Sequence, residues 1–119
     1  MEVLIIEDDS LISELIKEDL EDIGIVVSLA PNAVEAYKIL YKRNKYTQFD
    51  YIVLDFGLPD ENGVEIAKLI KERFTSKLII YTAAMKEDYE DKCCYDFFIE
   101  KGPGIEGVTD IIKNAFTNL

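Results

Sequence analysis

An α/β fold built on a parallel sheet follows from three features of this 119-residue chain. Apolar runs such as Val3-Leu4-Ile5-Ile6 and Tyr51-Ile52-Val53-Leu54 are too short for helices and suit strands covered on both faces. Segments with helical apolar spacing alternate with strand-like runs about five times along the chain. Acidic residues follow two of the runs directly, Glu7 and Asp8 after the first and Asp55 after the second.

The elements can be justified in order. After the first strand, Asp9 or Ser10 can cap a helix whose apolar positions Leu11, Ile12, Leu15, Ile16, Leu20 and Ile23 follow helical spacing. Gly24 ends it, and Ile25-Val26-Val27 begins a second strand. Asn32 caps a helix with Ala33, Ala36, Tyr37, Leu40 and Tyr41 along one face. The strand ending at Leu54 runs through Asp55 into Phe56-Gly57-Leu58-Pro59-Asp60-Glu61-Asn62-Gly63, a stretch of strong turn formers. A helix from about Val64 to Phe74 turns Ile66, Leu69 and Ile70 inward, and Lys77 to Thr82 makes a fourth strand. Lys86 to Cys94 is charged and weakly helical, which predicts a short or irregular fourth helix. Asp96 to Glu100 is a fifth strand, and Ile105 to Leu119 a closing helix.

The chain has the length of a single domain with a real core, so residues 1–119 are expected to form one unit. With 49% hydrophobic and 31% charged residues, the composition is that of an ordinary globular protein. Lys and Arg number 13 against 24 Asp and Glu, and the net charge of −11 argues against direct binding of nucleic acid, which needs a basic face. No apolar run approaches the ~20 residues of a membrane span, and no basic stretch precedes the first apolar run. A cytoplasmic location without membrane insertion is therefore expected. Cys93 and Cys94 are adjacent, match no zinc spacing and are read as packing residues. The absence of histidine removes His-based triads, His-ligated metals and an internal phosphohistidine.

If the first and third strands are parallel neighbours, Asp8 and Asp55 meet at one edge of the sheet. Two like charges at ~4 Å and an effective dielectric of ~20 cost roughly 4 kcal/mol. A cation relieves that cost, and oxygen-only ligands at an open edge suit Mg²⁺ better than zinc.

Four segments in this order, each at a strand end, carry a family resemblance: Val3 through Asp9, Val53 through Gly63, Tyr81-Thr82-Ala83, and Phe98-Ile99-Glu100-Lys101. Over nearly its whole length the chain resembles a receiver domain of the two-component response regulators, similar to the chemotaxis-type single-domain receivers. The resemblance implies a flavodoxin-like, doubly wound sheet of strand order 2-1-3-4-5, the order for which a chemotaxis receiver is a standard example. It implies that Asp55 is the phosphoacceptor, taking a phosphoryl group from a phosphohistidine on a histidine kinase or phosphotransfer protein. A carboxylate attacking phosphorus forms an acyl phosphate. By the same resemblance Asp8, Glu7 through water, Asp55 and the backbone carbonyl of Gly57 hold Mg²⁺. Lys101 supplies a second cation, and Thr82 a hydroxyl for a phosphoryl oxygen. Phe98, three residues before Lys101, is the expected switch aromatic, moving inward as Thr82 is drawn toward phosphate. The output surface would be the Lys86–Cys94 segment, the fifth strand and the closing helix. Self-catalysed phosphoryl transfer and dephosphorylation are expected, without turnover of an external substrate. With no output domain in these residues, the signal would pass by binding another protein or through the rest of a longer chain.

Two features depart from the family pattern. Lys101 is followed by Gly102-Pro103, where the family places Pro directly after Lys, so the loop that aims Lys101 is expected to differ. The stretch from Thr82 to Lys101 is also a few residues short. Gly57 and Ala84, each two residues past a key position, are small and offer no functional side chain to shield a phosphoryl group. Taken singly, Asp55 could be a helix cap, Thr82 a β-branched strand residue, and Lys101 a solvated charge. The competing reading of the whole is a non-phosphorylated pseudo-receiver, a plain interaction module. A haloacid dehalogenase-type phosphatase would need a second Asp where Gly57 stands, and a flavodoxin-like electron carrier would need a Ser/Thr/Gly-rich loop after the first strand.

Overall fold

The short apolar runs do pair side by side. The computed structural model describes residues 1–83, 86 and 95–118. Among them the elements are β1 (Glu2–Ile6), α1 (Ser10–Glu21), β2 (Val26–Ala30), α2 (Ala33–Leu40), β3 (Tyr51–Leu54), α3 (Val64–Arg73), β4 (Lys77–Thr82), β5 (Phe97–Glu100) and α4 (Glu106–Thr117). All strand pairs are parallel, and the sheet has the order β2-β1-β3-β4-β5. This is the flavodoxin-like, doubly wound arrangement expected from the sequence.

Alternate side chains along each strand serve two cores. Leu4, Ile6, Ile52, Leu54, Leu78 and Ile80 point toward α2 and α3, where they meet Ala36, Leu40, Ile66 and Ile70. Val3, Ile5, Val53 and Ile79 point the other way, onto Ile16 and Leu20 of α1 and Val108 and Ile112 of α4. Helices on both faces explain why the central strands are continuously apolar. Full burial of each such side chain contributes about 1.5–3 kcal/mol.

Caps set the helix boundaries. The Asp9 carboxylate accepts from the Leu11 and Ile12 N–H groups, and Asn32 accepts from Glu35 N–H. Gly24 has φ of 96°, a conformation that costs an L side chain, and it turns the chain from α1 into β2.

Several expectations need correction. Leu11 is 68% exposed, Leu15 45% and Ile23 37%, so α1 buries only the Ile16 and Leu20 part of the predicted stripe. Leu11 and Leu15 each sit one position, about 100° of helix rotation, away from Ile12 and Ile16. Tyr41 is likewise exposed, at 60%. β2 starts at Val26 and continues through Ser28, Leu29 and Ala30, past the polar residue that hid its length. β5 starts at Phe97 rather than Asp96, whose carboxylate instead accepts from Leu78 N–H and Lys71 Nζ, both at 2.8 Å. Apart from Lys86, the predicted helix over Lys86–Cys94 lies outside the described residues, as do Ala84, Tyr89, Cys93 and Cys94. No helix among the described residues is long and apolar enough to cross a membrane.

The turn after β3 folds back tightly on its own strand. Gly63 N–H donates to the Phe56 carbonyl at 3.1 Å, and a Cβ at Gly63 would lie 2.8 Å from the Asp55 carbonyl oxygen and 2.9 Å from Phe56 Cα. Both neighbours are backbone, so neither can swing aside. Gly63→Ala should therefore lower stability by about 1–3 kcal/mol in urea unfolding, in the range of overpacked interiors. A change under about 0.5 kcal/mol would show that the turn has slack.

Candidate functional site

The ladder of the sheet continues one residue beyond several strands. Glu7 N–H donates to the Ala30 carbonyl (3.0 Å), Asp55 N–H to the Ile6 carbonyl (3.0 Å), and Lys101 N–H to the Thr82 carbonyl (2.8 Å). The backbones of three charged residues are thus held at the carboxyl edge of the sheet, where open α/β sheets bind their ligands.

Their side chains converge. Lys101 Nζ lies 2.8 Å from Asp55 Oδ2 and 3.0 Å from the Glu7 carboxylate. Asp55 Oδ1 accepts from Gly57 N–H at 2.9 Å, and the buried Thr82 side chain helps hold the Asp55 carboxylate in its ionised form. Glu7, Asp55 and Thr82 are buried, at 3%, 5% and 2% exposure. Asp8 is exposed, and its carboxylate, with those of Glu7 and Asp55, offers ligand oxygens within 4.8 Å of one another.

The electrostatics follow from burial and from the single ammonium. Desolvation pushes the Glu7 carboxyl up to about 7; the bond from Lys101 opposes that rise, and the Asp55 charge adds to it. Burial also pushes on Asp55, but Lys101, Gly57 N–H and Thr82 together hold its carboxyl below the usual range. Lys101 is penalised by burial yet held above its ordinary value by the two carboxylates. Asp55 is therefore ionised at neutral pH while Glu7 is only partly so.

The donor set fits a hard divalent cation. With all groups ionised, three carboxylates face one ammonium, leaving two negative charges without a balancing partner among the described residues. All ligand atoms are oxygens, and the exposed Asp8 leaves one side open to water, which Mg²⁺ retains readily. In the turn beside the site, Gly63 N–H donates to the carbonyl of Phe56.

The departure after Lys101 does not misdirect it. The Lys101-Gly102-Pro103-Gly104 loop is tied down by Tyr81 Oη donating to the Gly104 carbonyl at 3.0 Å, and the Lys101 ammonium reaches both acids. Phe98 is half-buried on the α2–α3 side, its ring 5.4 Å from Tyr95 and 6.3 Å, edge-on, from Phe56. The direct bond from Lys101 Nζ to the Glu7 carboxylate, at 3.0 Å, was not anticipated from the sequence, which gave Glu7 only a water-mediated place beside Mg²⁺. It also gave no role to Asp60 and Glu61, whose carboxylates reach α2; their partners are 26, 27 and 24 residues away, so no local pattern marks them.

Comparison with known proteins agrees with this geometry. The family model for the response regulator receiver domain matches residues 3–101. The transcriptional regulatory protein CrdR of Helicobacter pylori is 31% identical over 115 residues, covering 96% of this chain and 48% of that protein. The chain spans about half or less of the length of the curated relatives it matches. Among solved structures, a CheY-like receiver domain from Methylobacillus flagellatus superposes with a TM-score of 0.77 at 27% identity, covering 96% of this chain and 97% of that one. The response regulator TrrA of Thermotoga maritima, solved in complex with Mg²⁺-BeF, gives 0.76 at 26% identity over 95% and 96% of the two chains. Its sequence match, its strand order and the cluster at its sheet edge agree: this chain belongs to the response regulator receiver domain family.

Proposed function

We propose that Asp55 accepts a phosphoryl group from a phosphohistidine on a partner kinase or phosphotransfer protein. The observation that carries this reading is the Lys101 ammonium held between Asp55 and Glu7, beside a carboxylate kept ionised in a buried setting. These 119 residues contain no histidine, so the donor imidazole lies outside them. The similarity to a receiver solved with Mg²⁺-BeF supports the same reading.

An Asp55 carboxylate oxygen attacks phosphorus, the P–N bond breaks, and the imidazole nitrogen takes the electron pair. Phosphoryl transfer asks a protein mainly for alignment and charge neutralisation. Gly57 N–H and the Lys101 ammonium fix the rotation of the Asp55 carboxylate, so one face is presented to the donor. Lys101 then neutralises charge on the transferred oxygens, and the Thr82 hydroxyl donates to one of them. Glu7, Asp8, Asp55 and the Gly57 carbonyl would hold Mg²⁺, which supplies further charge neutralisation at the phosphoryl oxygens. Phe98 packs where a shift of Thr82 would be felt, since β4 and β5 are adjacent and Ile80 pairs with Phe98.

Treatment with acetyl phosphate and Mg²⁺ should add one phosphate by mass spectrometry, and Asp55→Asn should abolish it. Undiminished phosphate on Asp55→Asn would refute the assignment. Lys101→Met should slow the gain of phosphate on the order of 10²-fold, the scale for removing one charge-stabilising donor. Asp8→Asn should weaken Mg²⁺ binding at least about ten-fold by calorimetry.

A pH dependence follows from Glu7. Its folded carboxyl titrates near 7 against an ordinary value of 4.5, so the folded state holds this proton more tightly than the unfolded chain. The stability it contributes is fully present below about pH 4.5 and is lost as pH rises through about 7. Asp55 acts oppositely and at lower pH, because its carboxyl is held down: its contribution disappears as pH falls through its lowered value. In the metal-free protein, urea unfolding stepped from pH 4.5 to 7 should show a decline that Glu7→Gln flattens. An equal decline in both proteins would assign it elsewhere.

A further inference from the structure

The turn that carries Asp55 is built into the start of α2. Asp60 Oδ1 accepts from Ala33 N–H at 2.9 Å and Oδ2 from Val34 N–H at 3.1 Å. One residue on, Glu61 Oε1 accepts from the Tyr37 hydroxyl at 2.5 Å. Asn32, the local cap, satisfies Glu35 N–H, and the Asn32 carbonyl accepts from Ala36 N–H at 3.1 Å. Of the first three N–H groups of α2, two are therefore satisfied by a side chain from the Asp55 turn. Helix α2 has only eight residues, too few to persist in water on its own, so its first turn depends on these bonds. The two N–H donors also hold the Asp60 carboxyl below its usual range.

The base of the same turn is anchored on the reacting carboxylate. Gly57 N–H binds Asp55 Oδ1, Gly57 bridges Asn62, and Gly63 N–H binds the Phe56 carbonyl. Asn62 in turn accepts from Val64 N–H at the start of α3. Only Leu58, Pro59, Asp60 and Glu61 span the gap between the bridged residues, and Pro59 stiffens that span. The turn is closed at its base by Asp55 and at its tip by α2, and has little slack between.

Resting on the reading of Asp55 as phosphoacceptor, we propose that Asp60 and Glu61 couple the chemical state of Asp55 to the N-terminal turn of α2. Converting the Asp55 carboxylate to an acyl phosphate changes the acceptor that Gly57 N–H sees and adds bulk beside Gly57. The turn shifts as a unit, and the Asp60 bonds to Ala33 and Val34 shift with it. Helix α2 then reports phosphorylation from the opposite side of Asp55 to β4 and β5, since β1 and β2 lie on that side of the sheet.

Coupling of this kind is reciprocal: if occupancy at Asp55 alters the α2 bonds, breaking those bonds alters affinity at Asp55 by the same factor. The probe is Mg²⁺ with beryllofluoride. Bound fluoride is read by ¹⁹F NMR, and amide exchange is read at Ala33 and Val34. In the unmodified protein, binding should change exchange at these two amides at least about five-fold, the lower end of measured inter-site coupling. Asp60→Ala should shift beryllofluoride affinity by the same factor, and Glu61→Gln, a milder change, should shift it in the same direction. Asn32→Ala weakens the same helix end without touching the Asp55 turn and should leave that affinity unchanged. Bound fluoride with unchanged exchange at Ala33 and Val34 would overturn the coupling, as would equal affinity shifts from Asp60→Ala and Asn32→Ala. Absence of any bound fluoride would sink the phosphoacceptor reading and the coupling with it, a result separable from the first two.

Discussion

One ammonium makes the rest of this sheet edge possible. Glu7 and Asp55 are nearly removed from solvent, and two buried carboxylates side by side would each lose hydration and repel the other. Lys101 stands between them, 2.8 Å from one and 3.0 Å from the other, and lets at least Asp55 keep its charge. A buried ion pair adds little net stability, and removing one partner leaves an uncompensated charge. What the arrangement supplies is a charged oxygen held still in a setting where electrostatic forces are strong.

That stillness comes from the sheet. Glu7 and Asp55 follow strands buried on both faces, Lys101 follows the edge strand β5, and each of the three has its own N–H bonded to the neighbouring strand. Residues placed this way inherit the rigidity of the core, whereas residues on a long loop would not. If the proposed phosphoryl transfer occurs at Asp55, alignment and charge neutralisation of this kind are what it mainly requires. The turn from Phe56 to Gly63 extends the same stiffness, because its glycine lies against backbone and its base is bonded to Asp55.

Glu7 and Asp8 show how adjacent residues of the same charge come to differ. Glu7 continues the direction of β1 inward and reaches Lys101, while Asp8 turns out to solvent at the edge. The longer Glu side chain also accepts from Asp9 N–H at 3.1 Å, so it supports the start of α1 as well as the charge cluster. Burial raises the Glu7 carboxyl to about 7, close to neutrality, so one acid of the cluster gives way to protonation while Asp55 stays charged.

The local chemistry of the chain determined its strands, most of its helix caps and the positions of its acids. Apolar runs of four residues are too short for helices and read as buried strands, and caps act within three residues of themselves. The sheet order, and the roles expected of Asp55, Asp8, Thr82 and Lys101, became legible through the family resemblance of four separated segments. Which face of α1 is buried, leaving Leu11 and Leu15 outside, was settled only by packing, because a stripe of alternating apolar residues fits the sheet in more than one rotation. Only the folded chain brings Lys101 onto Glu7, 94 residues away, and Asp60 onto Ala33, 27 residues away. Hydrogen bonds and ion pairs act over about 3 Å, and closeness between residues so distant in sequence is created by the strand order.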